Sequence, residues 1–300
     1  MLFQGSAVAL VTPFLENGEI DYEGMRELVR FHLEHGTDAI VSMGTTGEVS
    51  TSRDDEHIEA IRVVVEEVAG RIPVIAGTAI NDTRHSITLS RMAEDVGADG
   101  LLLVTPYYNK GTEYGLYEHF RQIAESVQIP SILYTVPGRT AVHLSVDLVR
   151  KLSEVPNIVG IKDATGNLSY TTAIRQATSP DFAIYSGNDD VIVPLMSVGG
   201  SGVISVLANA LPQETHDMVA ACLEGDYERA RSIQLALYPF IEALFVEVNP
   251  VPIKAALNLL GLPSGGLRLP LSNASEATVD RLRQELQVLG YLKPEVIGGV

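Results

Sequence analysis

Eight short apolar runs, each followed by a turn and then a helical stretch, constrain this chain more than any other feature. They cover residues 6–11, 38–43, 73–76, 100–104, 131–135, 158–161, 183–185 and 202–206. The segments between them carry apolar residues at i, i+3 and i+4, as in Met25, Leu28, Val29, His32 and Leu33, which is one face of a helix. Helix-start residues precede several of these segments: Asp21, Ser52 to Asp54, Asp82-Thr83 and Ser145, each able to cap exposed backbone N–H groups. Strand then helix, eight times over about 225 residues, predicts an α/β fold, a (β/α)8 TIM barrel. An open doubly wound sheet that binds a dinucleotide would carry G-x-G-x-x-G after the first strand, and none is present. Gly199-Gly200-Ser201-Gly202 precedes a strand instead of following one, and there is no P-loop. After Gly225 the strand pattern stops, and 226–246, 250–260 and 275–289 read as helices. The expected organisation is a catalytic barrel over 1–225 and a C-terminal helical extension over 226–300.

Charge and composition narrow the partners. The net charge of −17 repels nucleic acid and anionic membranes, yet leaves room for a small anion in a locally positive pocket. A single cysteine, Cys222, cannot form an internal disulfide, which fits a reducing, cytoplasmic setting. Met1-Leu2-Phe3-Gln4-Gly5 has no basic n-region or long apolar core, so no signal peptide is read. No apolar run reaches the roughly 18 residues of a membrane span.

In a barrel of this kind, chemistry is carried by residues at the C-terminal ends of the strands. Lys162 follows the apolar run Ile158-Val159-Gly160-Ile161, whereas Lys110, Lys151, Lys254 and Lys293 fall in loops or helices. A strand-end lysine can simply reach solvent. Alternatively, an amine kept neutral by burial among residues such as Val159 and Ile161 would attack a carbonyl. At pH 7 an unperturbed lysine, with a pKa of about 10.4, is neutral in roughly one molecule per few thousand, so burial would matter greatly. Imine chemistry also needs a proton shuttle, and strand ends supply Tyr107, Tyr108 and Tyr134 with Thr45 and Thr46. Gly44-Thr45-Thr46-Gly47 could hold a carboxylate on its backbone N–H groups, or be an ordinary βα turn. Arg139 could pair with a second carboxylate, or be a structural arginine. The seven histidines show no HExxH spacing, so no metal site and no cofactor are expected. Asp163 and Asp189-Asp190 could act as paired carboxylates. The preferred reading places Asp163 on the face opposite Lys162 and uses Asp189 or Asp190 to cap the helix after strand seven. Neither Ser186 nor Ser205 sits in a G-x-S-x-G elbow.

These motifs together resemble the dihydrodipicolinate synthase family, of the pyruvate-dependent Schiff-base lyases. Gly44-Thr45-Thr46-Gly47-Glu48, Val104-Thr105-Pro106-Tyr107-Tyr108-Asn109, Tyr134-Thr135-Val136-Pro137-Gly138-Arg139 and Gly160-Ile161-Lys162-Asp163-Ala164-Thr165-Gly166-Asn167 carry the resemblance, from about residue 3 to 290. It implies that Lys162 forms an imine with pyruvate and that Tyr134 shuttles protons. It also implies that Thr45 links Tyr134 to Tyr108, with Tyr108 reaching in from a neighbouring subunit of a homotetramer (a dimer of dimers). Thr46, Gly187 and Ile204 would contact pyruvate, and Arg139 the carboxylate of aspartate semialdehyde. The implied product is 4-hydroxy-tetrahydrodipicolinate, on the diaminopimelate route to lysine. A possible allosteric lysine site would comprise Ser50, His57, Asn81, His85 and Tyr107, with His85 standing where the family commonly has glutamate. Thr135 and Val49 are further departures, since Asn and Ser are usual there. Two alternatives share the barrel: a sister aldolase acting on a 2-keto-3-deoxy sugar acid, N-acetylneuraminate or 4-hydroxy-2-oxoglutarate, and a non-enzymatic pyruvate-binding scaffold.

Overall fold

A parallel strand covered by helices on one side and by its own barrel on the other is buried on both faces, so it reads as a short continuous apolar run. The computed structural model describes residues 1–293. Its strands are β1 (Gly5–Ala9), β2 (Ala39–Ser42), β3 (Val74–Gly77), β4 (Gly100–Val104), β5 (Ser131–Thr135), β6 (Ile158–Asp163), β7 (Ala183–Ser186) and β8 (Gly202–Ser205). All pair in parallel, and β8 closes on β1 to complete the barrel in sequence order. The outer helices are α1 (Tyr22–Glu34), α2 (Asp54–Val68), α3 (Thr83–Asp95), α4 (Glu113–Glu125), α5 (Pro137–Thr140), α6 (Val146–Ser153), α7 (Leu168–Ala177), α8 (Ile192–Ser197) and α9 (Pro212–Glu224). Gly225 ends α9 in the left-handed conformation, which glycine adopts without a Cβ clash. Beyond it, α10 (Tyr227–Ala243) packs on α8 and α9, while α12 (Glu276–Val288) packs on α10 and on α11 (Val251–Leu259). Among the described residues, no helix is long and apolar enough to cross a membrane.

Strand phase decides what faces the barrel axis, because side chains alternate with period two. Gly160 and Lys162 face inward, while Ile161 belongs to the outer layer against the helices. The expectation that Ile161 lines the interior is therefore corrected. A register shift at Ser131/Ile132 lets Val159, two residues away, pack against the inner set. That inner set is small at β1, with Ala7 and Ala9, and larger elsewhere, with Ile75, Leu102, Ile132 and Ile204. The Phe3 ring stacks on Tyr185 with centroids 4.3 Å apart, and the Tyr185 hydroxyl donates to the Phe3 carbonyl at 2.7 Å. This plugs the N-terminal end of the barrel and leaves the C-terminal end for chemistry. β6 runs two residues further than its apolar pattern suggests: Lys162 and Asp163 remain in the ladder, opposite Tyr185 and Ser186.

Two histidines are enclosed between barrel and helices. His32 on α1 bonds Thr37 Oγ1 at 3.1 Å, and His119 on α4 bonds Thr83 Oγ1 at 3.0 Å. Burial lowers His32 to about 3 and His119 to about 4 from the ordinary 6.5. Both are neutral in the folded chain at pH 5, where the unfolded chain binds protons. Stability should therefore be lost as the pH falls below about 6.5, by up to about 1.4 kcal/mol per pH unit for each histidine until its folded pKa is reached. Urea unfolding at pH 7, 6 and 5 should show a shallower loss for His119→Gln than for the unaltered chain. Superimposable slopes would contradict this.

Candidate active site

Lys162 and Tyr134 are ladder neighbours on β6 and β5 and both face the barrel interior, while the next residue of the row, Tyr185 on β7, lies lower, against Phe3. The Lys162 amine stands 4.4 Å from the centre of the Tyr134 ring, and the lysine is 5% exposed. It is enclosed, not solvent-reaching. Gly187 follows β7 and donates its N–H to the Asp163 carbonyl at 2.8 Å. A Cβ there would fall 3.1 Å from Lys162 Cε and 2.7 Å from Ala164 Cβ, so glycine leaves room for the lysine stem. Ile204 shares the inner apolar set with Tyr134.

The turn after β2 carries the two threonines. Met43 and Glu48 are both left-handed, with φ of 57° and 55°, and Gly47 N–H donates to Gly44 O at 3.1 Å. The Thr12 hydroxyl donates to Gly47 O at 2.7 Å. Thr46 is buried and its Oγ1 accepts from Asn249 Nδ2 at 3.0 Å, whereas Thr45 is half-buried. Glu48 anchors the turn from outside the barrel: its carboxylate accepts from the Lys254 ammonium on α11 at 2.9 Å, and both side chains are essentially inaccessible. Lys254 also donates to Thr12 O at 2.9 Å and to Gly266 O. Arg268 N–H donates to the second Glu48 oxygen at 3.1 Å, while its guanidinium grips Glu56 at 2.7 and 3.0 Å. Burial pulls Lys254 below the ordinary lysine range, and Glu48 opposes that shift. Sequence reasoning set Lys254 aside as a helix lysine. The available signal was a single cation within the apolar stretch Val251-Pro252-Ile253-Lys254-Ala255-Ala256-Leu257.

Arg139 lies on α5 at the exposed rim, and its Nη2 donates to the Asn249 carbonyl at 3.0 Å. Tyr108, with φ of 75°, is 90% exposed. Among the described residues no hydrogen bond joins Tyr108 to Thr45 or Tyr134. A cleft of about 420 Å³ beside the β7 loop is walled by Asn188, Asp190, Glu242 and Arg281, among others, and does not include Lys162.

The model of the Dihydrodipicolinate synthetase family matches residues 2–289. The chain belongs to that family. The 4-hydroxy-tetrahydrodipicolinate synthase of Caldicellulosiruptor bescii is 53% identical over 285 residues, covering 95% of this chain and 96% of that protein. The crystal structure of dihydrodipicolinate synthase from Aquifex aeolicus is 46% identical with a TM-score of 0.95, covering 97% of this chain and all of that one. A chloride-inhibited dihydrodipicolinate synthase from Acinetobacter baumannii, solved with pyruvate, is 45% identical with a TM-score of 0.94, covering 96% and 99%.

In this member of the dihydrodipicolinate synthetase family, the acidic residues beside the lysine are structural. Asp163 faces α7 and accepts from Thr165 N, Thr165 Oγ1 and Thr171 Oγ1 at 2.9, 2.6 and 2.7 Å. Asp189 does not cap the helix after β7. Its buried carboxylate accepts from Ser205 Oγ at 2.6 Å and from the N–H groups of Val206 and Leu207 at 3.1 and 2.9 Å. It thus satisfies the turn after β8, where backbone donors converge, while α8 begins at a 3-10 turn with no side-chain cap. Burial raises the Asp189 pKa, opposed by those hydrogen bonds and by the Lys162 charge. Thr135 is fully buried and paired in register with Asp163, so it faces the outer layer and not Lys162. Val49 is half-buried and packs on that layer.

Ser50, His57, Asn81, His85 and Tyr107 all lie on the β2, β3 and β4 side of the rim. His57 Nε2–H donates to Gly77 O at 2.8 Å, and burial lowers its pKa. His85 pairs with Asp54 at 2.8 Å, the Asn81 carbonyl accepts from Asn109 at 2.9 Å, and burial raises Tyr107. Ser50 is exposed.

Removing the Lys254 cation would leave Glu48 buried and unpaired. Lys254→Met should cost about 3–5 kcal/mol of stability, read by chemical denaturation, and adding Glu48→Gln should recover most of it. A single-variant loss under about 1 kcal/mol, the value of a surface pair, would show that the pair anchors nothing.

Proposed function

We propose that this chain is a 4-hydroxy-tetrahydrodipicolinate synthase, condensing pyruvate with L-aspartate 4-semialdehyde. The observation that carries the proposal is the enclosed Lys162 amine, 4.4 Å from the Tyr134 ring at the open end of the barrel. As a neutral amine, Lys162 attacks C2 of pyruvate; the carbonyl oxygen leaves as water and an imine forms. Loss of a C3 proton gives the enamine, whose C3 attacks the aldehyde carbon, and the new alkoxide takes up a proton. The substrate's amino group then displaces the lysine at C2, which closes the ring and frees the enzyme.

Tyr134 is assigned the proton transfers, with its hydroxyl linked through Thr45 to Tyr108 of a neighbouring subunit. Tyr108 is 90% exposed on a left-handed backbone, a placement suited to donation across an interface, and a homotetramer is proposed on that ground. Thr46 receives the pyruvate carboxylate, Gly187 and Ile204 border pyruvate, and Arg139 receives the carboxylate of the semialdehyde. The extension expected over 226–300, of which 294–300 lie outside the described residues, is assigned to the site and not to a separate function, supported by the Lys254–Glu48 tie. A cytoplasmic setting fits the single buried cysteine. L-lysine bound at the rim would meet His85 already paired with Asp54, so weak feedback is expected.

Borohydride reduction with pyruvate should leave an adduct of pyruvate mass on Lys162, and none in Lys162→Ala. Absence of the adduct would end the imine reading. A coupled assay should show turnover with aspartate semialdehyde; turnover with sugar-acid aldehydes alone would assign the chain to a sister aldolase. Tyr108→Phe should lose about a hundredfold or more in kcat, the lower end of what a positioned proton relay contributes, with an unchanged thermal melt. Near-normal turnover would remove Tyr108 from the mechanism.

A further inference from the structure

Asn249 lies in the connection between α10 and α11, far in sequence from the strands, yet it touches both groups assigned to substrate carboxylates. Its side-chain nitrogen donates to Thr46 Oγ1 at 3.0 Å, and its backbone carbonyl accepts from Arg139 Nη2 at 3.0 Å. It is 7% exposed, and its Oδ1 meets no partner among the described residues. We propose that Asn249 is a positioning residue that holds the Thr46 hydroxyl as a donor towards the pyruvate carboxylate. The proposal rests on the assignment of Thr46 to that carboxylate.

A hydroxyl has one proton and two lone pairs. An amide N–H that occupies a lone pair of Thr46 Oγ1 leaves the proton free to point away from Asn249. In a water-poor site, a hydroxyl already oriented towards a carboxylate makes a charge-assisted hydrogen bond without paying for reorganisation. An acceptor in place of the amide would draw the same proton the opposite way. The Asn249–Thr46 contact is itself fixed nearby, because Glu48 and Lys254 bind the same two segments together at 2.9 Å. The Asn249 carbonyl restrains Arg139 at one nitrogen, leaving its other N–H donors for the second substrate.

Four variants test the assignment: Asn249→Asp, which is near-isosteric but cannot donate when ionised, Asn249→Ala, Thr46→Val, and Asn249→Ala in the Thr46→Val background. Borohydride trapping over a pyruvate series gives half-saturation without the second substrate, and steady-state kinetics give KM for each. Asn249→Asp should raise the pyruvate concentration for half-trapping about ten- to a hundredfold, the range for losing a hydrogen bond to a charged group. The amount trapped at saturation should not change. KM for the semialdehyde should move less than about threefold, because every residue supplies the carbonyl that Arg139 uses. In the Thr46→Val background, Asn249→Ala should change half-saturation less than about twofold, since its effect passes through the missing hydroxyl. If Asn249→Asp does not fold, Asn249→Ala and the double variant decide. Wild-type half-saturation in a folded Asn249→Asp, or independent multiplication of the Thr46→Val and Asn249→Ala effects, overturns the assignment alone. Failure of the unaltered chain to trap pyruvate overturns the imine reading and this assignment with it.

Discussion

Closure of eight parallel strands is the constraint on which the rest of this structure depends. A closed ring has no free edge, so each strand is held on both sides and its inward and outward phases are set around the whole barrel. That phase sends Lys162 and Tyr134 inward side by side while Asp163 and Thr135 face the helices. A slip of one residue in β6 would exchange the amine for a carboxylate at the barrel axis. The stacked Phe3 and Tyr185 rings close the opposite end, so the interior opens only where the lysine is.

A second constraint acts across that open end. The turn that carries Thr45 and Thr46 contains left-handed residues at Met43 and Glu48, a conformation that non-glycine residues hold only when their surroundings support it. The support comes largely from the C-terminal extension, through Lys254, the Arg268 backbone N–H and Asn249. Two buried opposite charges with their remaining capacity filled by backbone groups are a poor source of net stability but a strong determinant of relative position. The same extension receives Arg139 on the Asn249 carbonyl. One segment outside the barrel thereby connects the turn assigned to pyruvate with the arginine assigned to the second substrate.

Much of this was legible because barrel strands are simple signals. The eight apolar runs mark the eight strands to within one or two residues, and the lysine after the sixth run stands at the chemical end. Ile161 was misread because a mostly apolar run conceals its own phase: Ile158, Val159 and Ile161 are interchangeable as a pattern, and only the register shift at Ser131/Ile132 shows which side each takes. Asp189 was misread because a carboxylate at a helix start usually caps that helix. Here the end of the neighbouring strand, β8, and the turn after it offered three donors to the same carboxylate. Lys254 was passed over because spacing along a helix says nothing of a carboxylate 206 residues earlier in the chain.

By itself the sequence determined the barrel, the lysine at the chemical end of its sixth strand and the family, since these depend on local periodicity and on motifs contiguous in the chain. Only the tertiary structure decided that Glu48 meets Lys254, that Asn249 meets Thr46 and Arg139, and that Tyr108 projects outward from its own barrel. Those relations join segments separated by a hundred residues or more, or concern a side chain left 90% exposed by its own barrel. Their partners are chosen by chain closure in three dimensions, which no local pattern encodes.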